Sequence, residues 1–123
     1  MIDLYLKRGD LYVLFSENEP VSLCVVTEEN DTTLELKNLA TQPSHQKKGY
    51  ATKLISYIEN QYKGKYKTLF VGTGEVPSIL HFYEKCGFTI SHREVDFFTK
   101  NYDLPMIEEG VLLKDMIYLK KEI

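Results

Sequence analysis

Tryptophan is absent from this chain of 123 residues, and cysteine occurs only twice, histidine three times and proline four times. Cys24, inside an apolar run, and Cys86, beside a glycine, form no ligand-spaced pair and are too few for a disulfide framework, so both read as core fillers. His45, His81 and His92 show no i, i+4 pairing, which leaves a metal site without its usual signature. Long apolar runs are missing too: stretches such as Leu11-Tyr12-Val13-Leu14-Phe15 fall far short of the ~20 residues needed to span a bilayer. Met1-Ile2-Asp3 brings neither a basic n-region nor an apolar h-region, so the chain is expected to be cytoplasmic, with no leader and no membrane partner. There is no excess of positive charge. A formal net charge of −3 and an isoelectric point near 5.6 argue against a nucleic-acid partner, whose binding face would be basic. Repeats, low-complexity tracts and linker-like stretches are lacking as well, so residues 1–123 are expected to form a single domain.

What is present is periodicity. A helical turn is expected over 2–6, closed by Arg8-Gly9-Asp10. β-Branched and aromatic runs over 11–16, 21–27 and 32–41, separated by the polar stretches 17–20 and 28–31, predict an antiparallel meander. In the third run Leu34, Leu36 and Asn38 share a face, but the adjacent apolar Leu39 and Ala40 break the period of two and predict a bulge. Ala51, Leu54, Ile55, Ile58 and Tyr62 then recur at helical spacing until Lys63-Gly64-Lys65 ends the helix. A buried-type strand over 68–72 follows, and reaching it through a helix implies a right-handed parallel crossover. Gly72-Thr73-Gly74 is expected to turn the chain into a second helix that opens at Pro77 and closes at a left-handed Gly87. Final strands are expected over 88–92 and 111–119, with a long segment, 93–110, between them. The order βββαβαββ predicts an α/β domain around a mixed sheet.

The chemistry gathers where the third run leads into the first helix. The leading N–H groups of a helix have no intrahelical partner, and the macrodipole adds about half a positive charge there, so the site suits phosphate. Here the donors come from Lys48, Gly49, Tyr50 and Ala51, with Lys47, Lys48 and Lys53 adding charge and Gly49 leaving room for a ligand. An isolated glycine of this kind is more often a solvated turn, but the pattern Gln46-x-x-Gly49-x-Ala51 resembles the acetyl-CoA signature of the GNAT superfamily of N-acetyltransferases. The run Phe82-Tyr83-Glu84-Lys85-Cys86-Gly87-Phe88 is similar to the second motif of that family, a helix with a tyrosine that ends in Gly-Phe. The resemblance covers about residues 4 to 120 and implies a mixed, mostly antiparallel sheet with a splayed parallel pair and flanking helices. It also implies acetyl-CoA as cosubstrate. Leu39, Ala40 and Thr41 at the strand break would meet its pantetheine arm, and Gln46, Lys47, Lys48, Gly49, Tyr50, Ala51 and Thr52 its pyrophosphate.

Direct acetyl transfer to a primary amine needs a base, a polarised carbonyl and an acid for the departing thiolate. By resemblance Tyr83 is the acid, and its phenol, with a free pKa of about 10, stays protonated at neutral pH. Glu35 stands where histone-type members carry a base, against the alternative of a strand-surface glutamate; a backbone N–H near Leu39 would polarise the carbonyl. The chain departs from the family at Val76, where many members have an asparagine for the pantetheine; either Ser78 or Glu75 substitutes or the contact is lost. The acceptor is expected to be an amine of a small molecule or protein, with 93–110 lining its pocket and a homodimer as one way to close it. The rivals are a non-catalytic acyl-CoA-binding module and a toxin acting on aminoacyl-tRNA, the latter disfavoured by the acidic balance.

Overall fold

The structure is a computed structural model that describes residues 9–123; the helical turn expected over 2–6 lies outside the described residues. The chain gathers into two compact units, residues 9–69 with 122–123, and residues 70–121.

In the first unit, Glu17 and Asn18 take φ angles of 52° and 66°, the left-handed pair of a two-residue hairpin, so β1 (Gly9–Ser16) folds directly back into β2 (Glu19–Asn30). The loop expected over 17–20 shrinks to these two residues because Glu19 and Pro20 pair with Ser16 and Phe15. Gly9 belongs to β1 instead of to a turn, and there a Cβ would stand 2.4 Å from the Val26 carbonyl oxygen. Asn30 closes the next turn by accepting the Thr32 N–H at 2.9 Å on its side-chain oxygen, and β3 (Thr33–Thr41) follows. Leu23 pairs with Ala40 and Val25 with Lys37, so Cys24 alone faces Asn38 and Leu39: this is the expected bulge, with Asn38 at a φ of 52°. Tyr12 pairs with Cys24, and Val26 with Leu36, which puts these side chains on one face of the meander. That face receives α1 (Tyr50–Tyr62), whose Leu54, Ile55, Ile58 and Tyr62 are buried; Tyr12 meets the rings of both Tyr57 and Tyr62. Burying an aliphatic side chain of this size contributes about 1.5–3 kcal/mol, so this face stabilises the unit by several such increments.

The second unit contains most of β4 (Thr68–Gly74), α2 (Pro77–Lys85), β5 (Thr89–Glu94), α3 (Phe97–Asn101), the short hairpin β6 (Ile107–Glu108) and β7 (Val111–Leu112), and most of β8 (Met116–Glu122). Its buried apolar residues include Val71, Val76, Tyr83, Phe88, Leu113, Ile117 and Leu119. The six long strands run in the order β1-β2-β3-β4-β8-β5, a mixed sheet in which the crossover through α1 makes the single parallel pair. Thr68 and Leu69 at the start of β4 belong to the first unit.

Several expectations change here. Gly72-Thr73-Gly74 is strand, not turn: a Cβ on Gly72 would lie 2.9 Å from Tyr118 Cε1, and one on Gly74 would lie 2.6 Å from Leu113 Cδ2. Those glycines admit a neighbour and do not bend the chain. The strand expected over 111–119 is broken at 113–115, where the Lys114 carbonyl accepts the Phe98 N–H at 2.9 Å and Asp115 Oδ1 accepts the Asp96 N–H at 2.8 Å. The segment 93–110 therefore carries structure of its own, the end of β5, then α3 and β6.

Candidate active site

At the end of β3 the chain is tied down before it turns. Ser22, buried on β2, donates its hydroxyl to the Ala40 carbonyl at 2.9 Å and lies 3.0 Å from the Thr41 hydroxyl. Gln42 binds back to β2 through its N–H to the Val21 carbonyl at 2.9 Å and its side chain to the Pro20 carbonyl at 2.7 Å. A single 3-10 turn (Pro43–His45) follows, and Gln46 closes the loop by donating Nε2 to the Thr41 carbonyl at 3.3 Å. A cleft of about 270 Å³ runs between residues 20–23 of β2 and 40–42 of β3. Ser22 escaped the sequence reading, since a serine in an apolar strand carries no motif; its burial is the signal.

Lys47 at a φ of 64° and Gly49 at 83° then swing the backbone into α1, with Gly49 as its N-cap. The first intrahelical bond runs from Lys53 N to the Gly49 carbonyl at 3.0 Å, so the amides ahead of it have no acceptor within the helix. A Cβ built on Gly49 would find no atom within 4 Å: the space before the helix is open, and Lys47, Lys48 and Gly49 are exposed around it. Tyr50 is held by Ser16, 3.2 Å from its hydroxyl, with His45 beside its ring and Lys53 Nζ 5.7 Å from the ring centre. Of the residues expected at the site, Ala40 and Thr41 line the cleft, and the Gln46 side chain ties the loop before α1 to Thr41.

Glu35 lies on the face of β3 turned away from Leu34, Leu36 and α1, half-buried, and is paired with the fully buried Thr27. Thr27 donates to Glu29 Oε2 at 2.6 Å, and Glu29 stands 4.0 Å from Lys37 Nζ, so the neighbourhood of Glu35 is polar and charged.

Tyr83 and Ser78 are carried by α2 of the second unit. The Phe88 N–H reaches the Tyr83 carbonyl at 3.0 Å and the Gly87 N–H reaches that of Glu84 at 3.0 Å, the paired bonds of a Schellman cap with Gly87 at a φ of 98°. The apolar contact of such a cap is the meeting of the Tyr83 and Phe88 rings, 5.7 Å apart. The Tyr…Gly-Phe motif is therefore a positioning device: the turn that ends the helix also fixes the ring of Tyr83, which is 7% exposed. Ser78 donates to both carboxylate oxygens of Glu109 at 2.9 Å, and Glu75 is held by Arg93 in a two-pronged pair. Both candidate substitutes for the family's asparagine are thus already engaged, while Val76 is buried as the N-cap of α2. Burial pushes the Cys24 thiol up to about 12, which removes it as a nucleophile. His92 stacks on Tyr118 at 4.8 Å and His81 is exposed. Among the described residues no three His, Cys, Asp or Glu side chains are grouped to hold a metal, and no helix is long and apolar enough to cross a membrane.

Comparison with known proteins puts these features in a family. A sequence profile described as an acetyltransferase (GNAT) domain matches residues 7–90. An uncharacterized N-acetyltransferase of Bacillus subtilis (strain 168), YvbK, is 35% identical over 97% of this chain and 78% of its own length. Among solved structures, a GNAT family acetyltransferase from Elizabethkingia anophelis with acetyl-CoA bound superposes with a TM-score of 0.94 at 35% identity, over 99% of this chain and 81% of that one. A Bacillus subtilis acetyltransferase in complex with CoA gives 0.91 at 34%, over 99% and 82%.

Proposed function

The chain belongs to the acetyltransferase (GNAT) family, and from that premise we propose that it moves the acetyl group of acetyl-CoA directly to a primary amine. The observation that carries this reading is the open, glycine-fronted N-terminus of α1 directly after the β3 bulge. The pyrophosphate sits on the amides of Lys48 to Ala51 beside Gln46, Lys47 and Thr52, and the pantetheine arm runs along Leu39, Ala40 and Thr41. A family match that runs through residue 69 into both units supports one working domain over 1–123.

In the reaction the amine nitrogen attacks the thioester carbon, the C–S bond breaks, and free CoA leaves as the thiol. A lysine-type amine has a pKa of ~10.4, so near pH 7.4 about one molecule in a thousand is neutral, a handicap of roughly 4 kcal/mol that a base recovers. Glu35 takes that proton, directly or through water. The backbone N–H near Leu39 polarises the carbonyl, and Tyr83 gives its proton to the thiolate, whose conjugate acid is the stronger by only ~1.5 pKa units, a gap small enough for a positioned donor to bridge. Ser78 is kept as a contact to the pantetheine arm, which would have to share it with Glu109.

The acceptor is an amine of a small molecule or a protein, and the working compartment is the cytoplasm. A homodimer belongs to the same reading, supported by the apolar row Leu11, Val13 and Phe15, 49%, 37% and 60% exposed, on the edge strand β1.

Thiol release from acetyl-CoA over a panel of amines tests the activity. Tyr83→Phe keeps the ring contact with Phe88 and removes only the hydroxyl, so CoA affinity should hold within a few-fold while kcat falls about 10²-fold or more. Wild-type kcat in this variant would send the search for the acid elsewhere. CoA binding without release for any amine would favour the alternative, a non-catalytic acyl-CoA-binding module.

A further inference from the structure

Residues 96–113 contain Asp96, Asp103, Glu108 and Glu109 against Lys100 alone, so this stretch holds the chain's entire net charge of −3 and the rest of the sequence balances. The same stretch exposes large apolar side chains, Leu104 at 77%, Ile107 at 68% and Leu112 at 49%. Leu104 and Leu112 border a groove of about 270 Å³ in which Tyr102 stacks on Phe98, 5.9 Å apart and 20° from parallel, beside Met106. The groove is built on fixed points. Its floor, Leu113, is buried against Gly74 at the carboxyl end of β4 and donates its N–H to the Met106 carbonyl at 2.8 Å. At the far end of the hairpin Glu109, with a φ of 49°, reaches Ser78 on α2, the helix that carries Tyr83.

A ligand crevice in an α/β sheet lies beyond the carboxyl ends of its strands, and this groove abuts that end of β4. Apolar walls with one carboxylate, Asp103, among them, on a stretch of net negative charge, suit one kind of occupant. Resting on the acetyltransferase reading above, we propose that residues 98–113 select the acceptor, and that it is a primary amine with an apolar aryl or alkyl body. The ammonium is drawn by the acidic residues and the body lies against the Tyr102 ring, Leu104, Met106 and Leu112, a largely apolar lining that leaves most hydroxyls of a sugar without partners.

The test compares 2-phenylethylamine and n-octylamine with spermidine and glucosamine in acetyl-CoA thiol release. The apolar amines should show a kcat/KM about tenfold or more above the polar ones. Leu104→Asp, at an exposed position that tolerates charge, should raise the KM for 2-phenylethylamine several-fold and leave the Kd for CoA unchanged. A preference for spermidine or glucosamine, or an unchanged KM in Leu104→Asp, overturns the inference. If no amine is acetylated, the activity reading fails separately, and NMR titration of 2-phenylethylamine with CoA present still reads the groove. Shifts confined to 98–113 and lost in Leu104→Asp support it, and their absence overturns it. Sedimentation completes the test: a wild-type dimer broken by Leu104→Asp would make the groove an interface between copies, and the inference would fall.

Discussion

At Gly49 two demands meet in one residue, a φ of 83° and open space in front of the helix. Alanine would meet no atom but would still be strained by about 1–2 kcal/mol in the left-handed region. Glutamate adds a negative charge pointing into the space assigned to the pyrophosphate. Gly49→Glu should therefore raise the Kd for CoA by about tenfold or more in isothermal titration, equivalent to ~1.4 kcal/mol, while the circular dichroism spectrum stays that of a folded protein. An unchanged Kd in a folded variant would move the seat away from this loop. Ser22 works at the same scale: one buried hydroxyl satisfies the Ala40 carbonyl beside the bulge and braces Thr41.

Among the elements, the C-terminus of α2 and the break before β8 carry the second unit's geometry. A side chain at Gly87 would face a φ of 98° and bring its Cβ within 2.9 Å of Lys121 Cε, the flexible part of a side chain whose Nζ donates to the Cys86 carbonyl at 2.7 Å. Gly87→Ala should cost about 1–2 kcal/mol and lower Tm by roughly 5–10 °C in a calorimetric scan. A change of less than about a degree would mean that the cap contributes little.

Asp115 holds the loop before β8. The Asp96 amide first, and the Arg93 guanidinium second, keep its carboxyl below the ordinary aspartate value. Its folded pKa is lower than its unfolded one, so its contribution is present above the unfolded value of ~3.9 and disappears as pH falls through the folded value. The Tm gap between wild type and Asp115→Asn should be widest near pH 7 and narrow steadily below about pH 4. A gap constant from neutral to acid pH would show that charge plays no part in the clasp.

For the whole molecule, the sign of a salt effect separates local from global electrostatics. The chain is net negative, yet the seat is ringed by Lys47, Lys48 and Lys53. If those lysines and the α1 N-terminus govern binding, raising salt from ~50 to ~500 mM should weaken CoA several-fold, because the Debye length shrinks to a few ångströms. If the overall charge governed, salt would screen repulsion and tighten binding. A Kd that falls with salt would therefore count against the lysine-flanked seat.

Local rules were enough for much of this protein. The β-branched run 21–27, the break at Leu39-Ala40, the helical spacing from Leu54 to Tyr62 and the left-handed role of Gly87 rest on propensity, dihedral preference and side-chain period within one element, and these are written in neighbouring residues. The left-handed, open N-cap at Gly49 was legible for the same reason. Other features depended on residues distant along the chain. Gly72 and Gly74 look like a turn until Tyr118 and Leu113 pack against them; the run 111–119 looks continuous until Asp96 and Phe98 draw 113–115 aside. Only the folded chain brought Glu109 to Ser78 and buried Ser22 beneath the bulge. Periodicity records which face of an element is buried, whereas the partner that buries it, or that claims a lone hydroxyl, is chosen when distant segments pack together.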